Sequence, residues 1–182
     1  MTEAGLTTTL RQLPDLLDFL DALNEAKAKY LVIGGHAVGL HGHSRATKDL
    51  DVWIGDDVTN REAVLRALRA FGAPETAIRN LVSASKDEFV FLGRPPQRID
   101  LLQSIPGVED FDGGYSRRAC VRVEGVDVSV IGFEDLLVAK RASGRPQDLV
   151  DVIRLEKVRA KELELGGNRA PSRGRGRDDS SR

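Results

Sequence analysis

Two glycines followed, thirteen residues later, by two aspartates one residue apart constrain this chain more than any other feature. They fall within Tyr30 to Ile54, YLVIGGHAVGLHGHSRATKDLDVWI. Tyr30 to Ile33 is a short apolar run suited to a strand, and Gly34-Gly35 lets the backbone turn sharply and approach a ligand closely. His36 to Leu40 has the length of one or two helical turns. A helix start behind a glycine turn gathers N–H groups that attract anions, so the turn is a candidate phosphate cradle. Lys48 to Ile54 alternates polar and apolar residues as a strand does. Residues i and i+2 share a strand face, so Asp49 and Asp51 should point together into a cleft while Leu50 and Val52 enter the core.

Adjacent carboxylates repel, and an apolar setting raises the pKa of one of them unless a cation lies between. Magnesium fits that role, because it takes oxygen ligands and bridges one or two carboxylates to substrate phosphates. A two-metal site for phosphoryl or nucleotidyl transfer asks for a third carboxylate on a neighbouring strand. Asp100, in Arg98-Ile99-Asp100-Leu101-Leu102, is the candidate.

With these motifs the sequence resembles the nucleotidyltransferase superfamily that includes DNA polymerase beta. Arg45, Thr47 and Asp49 to Ile54, the stretch from Arg94-Pro95-Pro96 to Leu102, and Lys140 to Asp148 are similar to small bacterial and archaeal nucleotidyltransferase-like proteins related to AbiEii-type abortive-infection toxins. The resemblance spans roughly Leu13 to Leu163. It implies an α/β (α+β) fold: a mixed sheet flanked by helices, with a C-terminal helical pair. It also implies a magnesium-dependent transfer of a nucleoside monophosphate from an NTP to an RNA (tRNA) or protein hydroxyl, with manganese able to replace magnesium. Asp49, Asp51 and Asp100 would be the catalytic and metal-binding residues. Gly34, Gly35, Arg45, Thr47, Lys140, Arg145 and Asp148 would bind the nucleotide, with Lys140 on its phosphates and Asp148 fixing a basic side chain. The second motif glycine, Gly35, replaces a serine found in many members. A cognate toxin or antitoxin is an implied partner. The rival expectation is a non-catalytic module of the same fold, serving as an antitoxin or partner scaffold.

The rest of the 182 residues frames this site. A net charge of −1 gives no global attraction to nucleic acid, so any such contact must come from local basic patches. The single cysteine, Cys120, leaves no intramolecular disulfide partner, and no apolar run is long enough for a membrane span. Without a secretory signal, a cytoplasmic location is expected. One domain is expected over residues 13–165, after a loose N-terminus (1–12) and before a disordered Arg/Gly/Ser tail (166–182). That tail carries net charge +3, from five arginines and two aspartates, and reads either as a functionless solvated tail or as one that adds salt-sensitive RNA affinity.

Helices are expected over Leu13 to Ala28, from Thr59 to Gly72 through a capping box, around Ala77 to Val82, over Phe133 to Ala142 and over Gln147 to Leu163. Strands are expected at Glu88 to Leu92 and Gln97 to Ser104, and a hairpin at Ala119 to Val123 and Val126 to Ile131 turning on Glu124-Gly125. Val108 to Arg118 reads as a loop or irregular helix over the site. His36, His41 and His43 read as structural rather than as zinc ligands, Cys120 as a small buried residue, and Asp151 as a surface or structural acid. Trp53 shares the carboxylate face and could stack on a base.

Overall fold

The computed structural model describes residues 14–47, 49–94 and 97–167. The expected loose N-terminus, Lys48, Pro95-Pro96 and all but the first two residues of the Arg/Gly tail lie outside them.

The elements run in chain order as α1 (Pro14–Glu25), β1 (Tyr30–Val32), α2 (Gly34–Leu40), β2 (Asp49–Ile54), α3 (Val58–Phe71), α4 (Glu75–Ser83), β3 (Phe89–Leu92), β4 (Arg98–Leu102), α5 (Phe111–Ser116), β5 (Ala119–Val123), β6 (Val126–Val130), α6 (Phe133–Ser143) and α7 (Pro146–Gly167). The strands form one sheet ordered β3-β4-β2-β1-β6-β5. It is mixed: β2 and β4 are parallel, as are β1 and β6, and the other pairs are antiparallel. The expected fold class is therefore observed.

Period-two patterning divides the sheet into two faces. Leu50, Val52, Ile99, Leu101, Val90 and Leu92 are buried on one face. Helix α1 lays its stripe of Leu16, Phe19, Leu20 and Leu23 into the core, and each of these side chains contributes about 1.5–3 kcal/mol by leaving water. Phe19 meets Phe71 of α3 edge to face, with centroids 5.3 Å apart. The other face carries the acidic residues and is covered in part by α5, α6 and α7.

Helix α3 is capped by Asp57, whose carboxylate accepts from Asn60 N, and not by Thr59 as the capping-box pattern suggested. Aspartate is among the strongest N-cap residues, and capping here starts the helix at Val58. Asn60 is thereby turned inward. Its buried amide accepts from Lys29 N and donates to Lys29 O and Gly55 O, tying the start of β1 to the end of β2. Gly72 closes α3 in the left-handed region, as expected. The β5–β6 hairpin turns on Glu124 and Gly125 with φ of 49° and 90°, the positive pair that a two-residue turn demands.

Two expectations are corrected. Cys120 is exposed, because it alternates with Val121 and Val123 on edge strand β5 and takes the solvent side. Trp53 is 1% exposed, so stacking on a bound base is closed to it. It does share the carboxylate face, but α5 covers it: Phe111 packs edge to face against the indole, Gly114 leaves room for it, and its Nε1 donates to Gln103 O. The segment foreseen as a cover over the site thus seals the neighbouring core.

Candidate active site

Strand β1 delivers Gly34, whose φ of 61° makes the turn into α2. Asp51 is the reason a glycine stands there. A Cβ at residue 34 would lie 2.0 Å from Asp51 Oδ2, so the carboxylate rests against bare backbone. Gly35 answers to a different neighbour. A Cβ there would meet Thr47 Oγ1 at 2.7 Å and Arg45 Nη1 at 3.2 Å. The departure from serine at this position therefore has a steric cause, and the Thr47 hydroxyl stands beside the turn, donating to Asp49 O at 3.3 Å. Gly35→Ser is expected to destabilise the fold by about 1–3 kcal/mol through overpacking, and Thr47→Ala in the same chain to recover only part of that loss, because the Thr47 Cβ that alanine keeps would still lie 2.9 Å away, as denaturant melts would measure.

Asp49 and Asp51 share one face of β2, and Asp51 is paired in register with Asp100 on β4. All three sequence-derived carboxylates are thus brought to one place, along with Arg98, which is paired with Asp49. Arg98 was not foreseen as part of the site. It grips Asp100 with two hydrogen bonds, Nε to Oδ1 at 2.7 Å and Nη2 to Oδ2 at 2.5 Å, and its Nη2 lies 3.6 Å from Asp49 Oδ2. Its position two residues before Asp100 on the same strand was the available signal.

The charges are unequally compensated. Asp49 Oδ1 is buried without a hydrogen-bond partner. Burial, with repulsion from Asp100 and Asp49 added, pushes the Asp51 carboxyl up to about 6, against the pull of Lys140 and Arg98. Two neighbouring carboxylates, one with an orphaned oxygen and one short of positive charge, form a donor set that fits a divalent cation. Asp100 is engaged by Arg98, and among the described residues no group of three His, Cys, Asp or Glu side chains is arranged to hold a metal ion. The fit therefore rests on Asp49 and Asp51.

A cavity of about 300 Å³ opens beside these residues. Gly34, Gly35, Arg45, Thr47, Asp49, Asp51, Lys140, Arg145 and Asp148 all line it. Nine of the ten residues singled out from sequence thus share one cavity, and Asp100 stands at its side on β4. A larger cleft of about 980 Å³ lies over the other sheet face, lined by Asp15, Asp18, Asp21 and Glu25, and takes none of the ten.

The cavity's far wall is a buried ion network. Lys140 Nζ lies 2.5 Å from Asp148 Oδ1 and 2.9 Å from Asp151 Oδ2. Arg45 donates through Nε and Nη2 to the two oxygens of Asp151, at 3.0 and 3.1 Å. Ser143 donates to Asp148, and Gln147 to Asp151. Asp148 thus holds a basic side chain, as expected, and Asp151 proves to be the structural acid of the two alternatives, with no exposed surface. Burial would raise the Asp151 carboxyl, but the hydrogen bonds from Lys140, Gln147 and Arg45 outweigh it and hold it below the usual range. Arg145 is exposed at the cavity wall. His36 is buried with Nε2 unpartnered, and burial pushes its pKa down to about 4, so it is a neutral core residue.

A mixed sheet that sets a Gly-Gly turn against an Asp-x-Asp strand, with a third aspartate on the next parallel strand, is a nucleotidyltransferase-like architecture. The chain belongs to a family described as nucleotidyltransferases of unknown function, DUF6036, whose model matches residues 9–165. None of the curated proteins matches it. Among solved structures, it is similar to a candidate nucleotidyltransferase from Thermotoga maritima at 17% identity and a TM-score of 0.52, over 88% of this chain and 96% of that one. An antigenic nucleotidyltransferase-like protein from Paracoccidioides brasiliensis is 18% identical over 93% of this chain and 90% of that one, with a TM-score of 0.43. At such identities the first likeness speaks for the fold alone.

Proposed function

We propose that this protein transfers a nucleoside monophosphate from an NTP to a hydroxyl group, with Asp49, Asp51 and Asp100 as its catalytic carboxylates. One observation carries the reading: three carboxylates share a sheet face at the side of a cavity that begins at a glycine turn and is walled by Arg45, Lys140 and Arg145. Asp49 and Asp51 would hold magnesium, or manganese in its place, which when bound supplies positive charge to the phosphates and acidifies the acceptor hydroxyl. The backbone N–H groups at Gly34 and Gly35, with Thr47 and the cationic wall, would hold the triphosphate. In the transfer, the acceptor hydroxyl gives its proton to the Asp100 carboxylate and its oxygen bonds to the α-phosphorus. The bond from that phosphorus to the pyrophosphate oxygen breaks, and pyrophosphate leaves. Rate enhancement comes from positioning and fixed charge, as in phosphoryl transfer generally.

An RNA end or a protein hydroxyl is the acceptor class, and a place within a toxin–antitoxin or phage-defence pair goes with it. Among the described residues, no helix is long and apolar enough to cross a membrane.

A second reading, a non-catalytic module of the same fold, draws on the Arg98 grip on Asp100. One experiment separates the two. Purified protein is incubated with each radiolabelled NTP, magnesium, total RNA and cell lysate, beside an Asp49→Ala/Asp51→Ala control. Label moving to RNA or polypeptide in the wild type alone supports the transferase. Magnesium-dependent NTP binding with no transfer to any acceptor would overturn it in favour of the binding module.

A further inference from the structure

Beyond Asp100 the sheet face ends in two bare aromatic rings. Phe89 and Phe91 occupy edge strand β3 and are 58% and 60% exposed, while Val90 and Leu92 between and after them are buried. Phe91 is paired with Asp100, and Phe89 with Leu102. Directly opposed residues share a face. The rings therefore stand on the same face as Asp49, Asp51 and Asp100, one strand beyond the last carboxylate.

Burying Phe is favourable, so two exposed rings on one strand invite a ligand. Their place relative to the cavity says which one. The Gly34-Gly35 turn follows β1 directly and so lies on the β1 side of Asp51, and the rings lie on the β3 side. A displacement at phosphorus proceeds with attacking and leaving oxygens roughly in line. With the triphosphate held at the glycine turn, the acceptor comes from the opposite side, over β4 and β3. We propose that Phe89 and Phe91 are the platform on which unpaired bases of a single-stranded nucleic acid stack while its terminal sugar hydroxyl reaches Asp100. The proposal rests on the transferase reading for the placement of donor and acceptor.

Three features favour bases over a polypeptide. Residues i and i+2 of a strand are about 6.7 Å apart, a spacing at which each ring can meet a separate base of an extended strand. A peptide added to the free edge of β3 would lie in the plane of the sheet, about 10 Å from β4, whereas the Asp100 carboxylate projects from the face. Phe91 itself stands a single strand spacing, about 4.8 Å, from Asp100, so a base on its ring lies beside that carboxylate. Finally, two half-exposed rings offer on the order of 200 Å², well short of the ~800 Å² that each partner of a stable protein pair buries. Stacking is tolerant of base identity, because every base has a π face.

The test is fluorescence anisotropy of the full chain with 5′-labelled 12-nucleotide single strands, one of ribose and one of deoxyribose, without NTP. Wild type should bind, and the ribose-to-deoxyribose comparison identifies the acceptor polymer. Phe89→Ala/Phe91→Ala should weaken binding about tenfold or more per ring, with NTP affinity and melting temperature unchanged, and Phe89→Trp/Phe91→Trp should restore it. Equal binding by the alanine variant, or no binding of either strand by wild type, would overturn the proposal. So would label that moves to a polypeptide in a ring-dependent manner, which would make the platform a protein-acceptor site. Ring-dependent oligonucleotide binding without transfer to any acceptor would sink the transferase reading and leave the platform standing.

Discussion

Replacing Asp51 with asparagine is expected to abolish transfer and, in the metal-free protein, to raise stability at neutral pH. The two effects have one cause. Asp51 is pushed from 3.8 to about 6 by burial and by its acidic neighbours, so the ionised form is held against its preference. A carboxyl whose pKa is raised in the folded state holds its proton more tightly there than in the unfolded chain, and its contribution to stability is present at low pH and lost as pH rises. The window is set by the two values. Wild type should lose stability between pH 4 and pH 6 relative to the asparagine variant, and the difference should be level above that. A shift of roughly two units corresponds to at most about 3 kcal/mol, or several degrees in melting temperature for a chain of this size. Asparagine keeps the shape and removes the charge, so the gap opens as the wild-type group ionises. Magnesium should narrow it, because a cation bound to the folded wild type stabilises by mass action and the variant has lost a ligand. Thermal melts of both proteins in chelator at pH 4.5 and 7.5, then with magnesium, would measure this. A variant no more stable than wild type at pH 7.5 would mean that the Asp51 charge is not strained, and one that still transfers would mean that Asp51 is not catalytic.

How much of this could be read beforehand depends on the range of the interactions. The Asp49, Asp51 and Leu50, Val52 alternation, the Gly72 stop and the Glu124-Gly125 hairpin are dictated within a few residues, and each appears where local chemistry put it. The gathering of Gly34, Gly35, Arg45, Thr47, Lys140, Arg145 and Asp148 around one cavity spans more than a hundred residues of sequence, and only the resemblance to a family supplied it. What local patterning could not reach were the properties set by distant neighbours. Trp53 lies on the expected face, but its burial is decided by Phe111 and Gly114, fifty-eight and more residues on. Cys120 looked like a core residue because valines flank it, whereas its strand's place at the sheet edge leaves it in solvent. Asp57 rather than Thr59 caps α3, and the start at Val58 that this sets lets Asn60 reach the backbone of Lys29 and Gly55, partners far away in sequence. Arg98 lay within reach of the alternation rule, but reading it as a clamp required the register of β2 on β4.

The largest loss of stability should follow Asp151→Ala. Sequence offered this residue no chemistry, yet it is the acid on which two cations converge. Removing it leaves the Arg45 guanidinium with the Ala46 carbonyl as its remaining protein acceptor and Lys140 with Asp148 alone. Breaking a buried pair by deleting one partner costs about 3–5 kcal/mol, because a charge is left in a poorly solvated place, and in a chain of this length the melting temperature should fall by about 10 °C or more. Arg45→Ala should cost less, since Asp151 would keep Lys140 and Gln147. If stranded charge is the cause, Arg45→Met/Asp151→Leu, which empties the pair of charge and keeps its bulk, should recover most of the loss, whereas a packing defect would persist in the double variant. The network also joins the loop before β2 to α6 and α7, the two walls of the cavity. Nucleotide affinity of Asp151→Ala, measured well below its melting temperature, should therefore fall, although Asp151 itself is sealed behind Lys140 and Arg45. A loss of under about 1 kcal/mol with unchanged affinity would mean that the network neither holds the fold together nor sets the cavity walls.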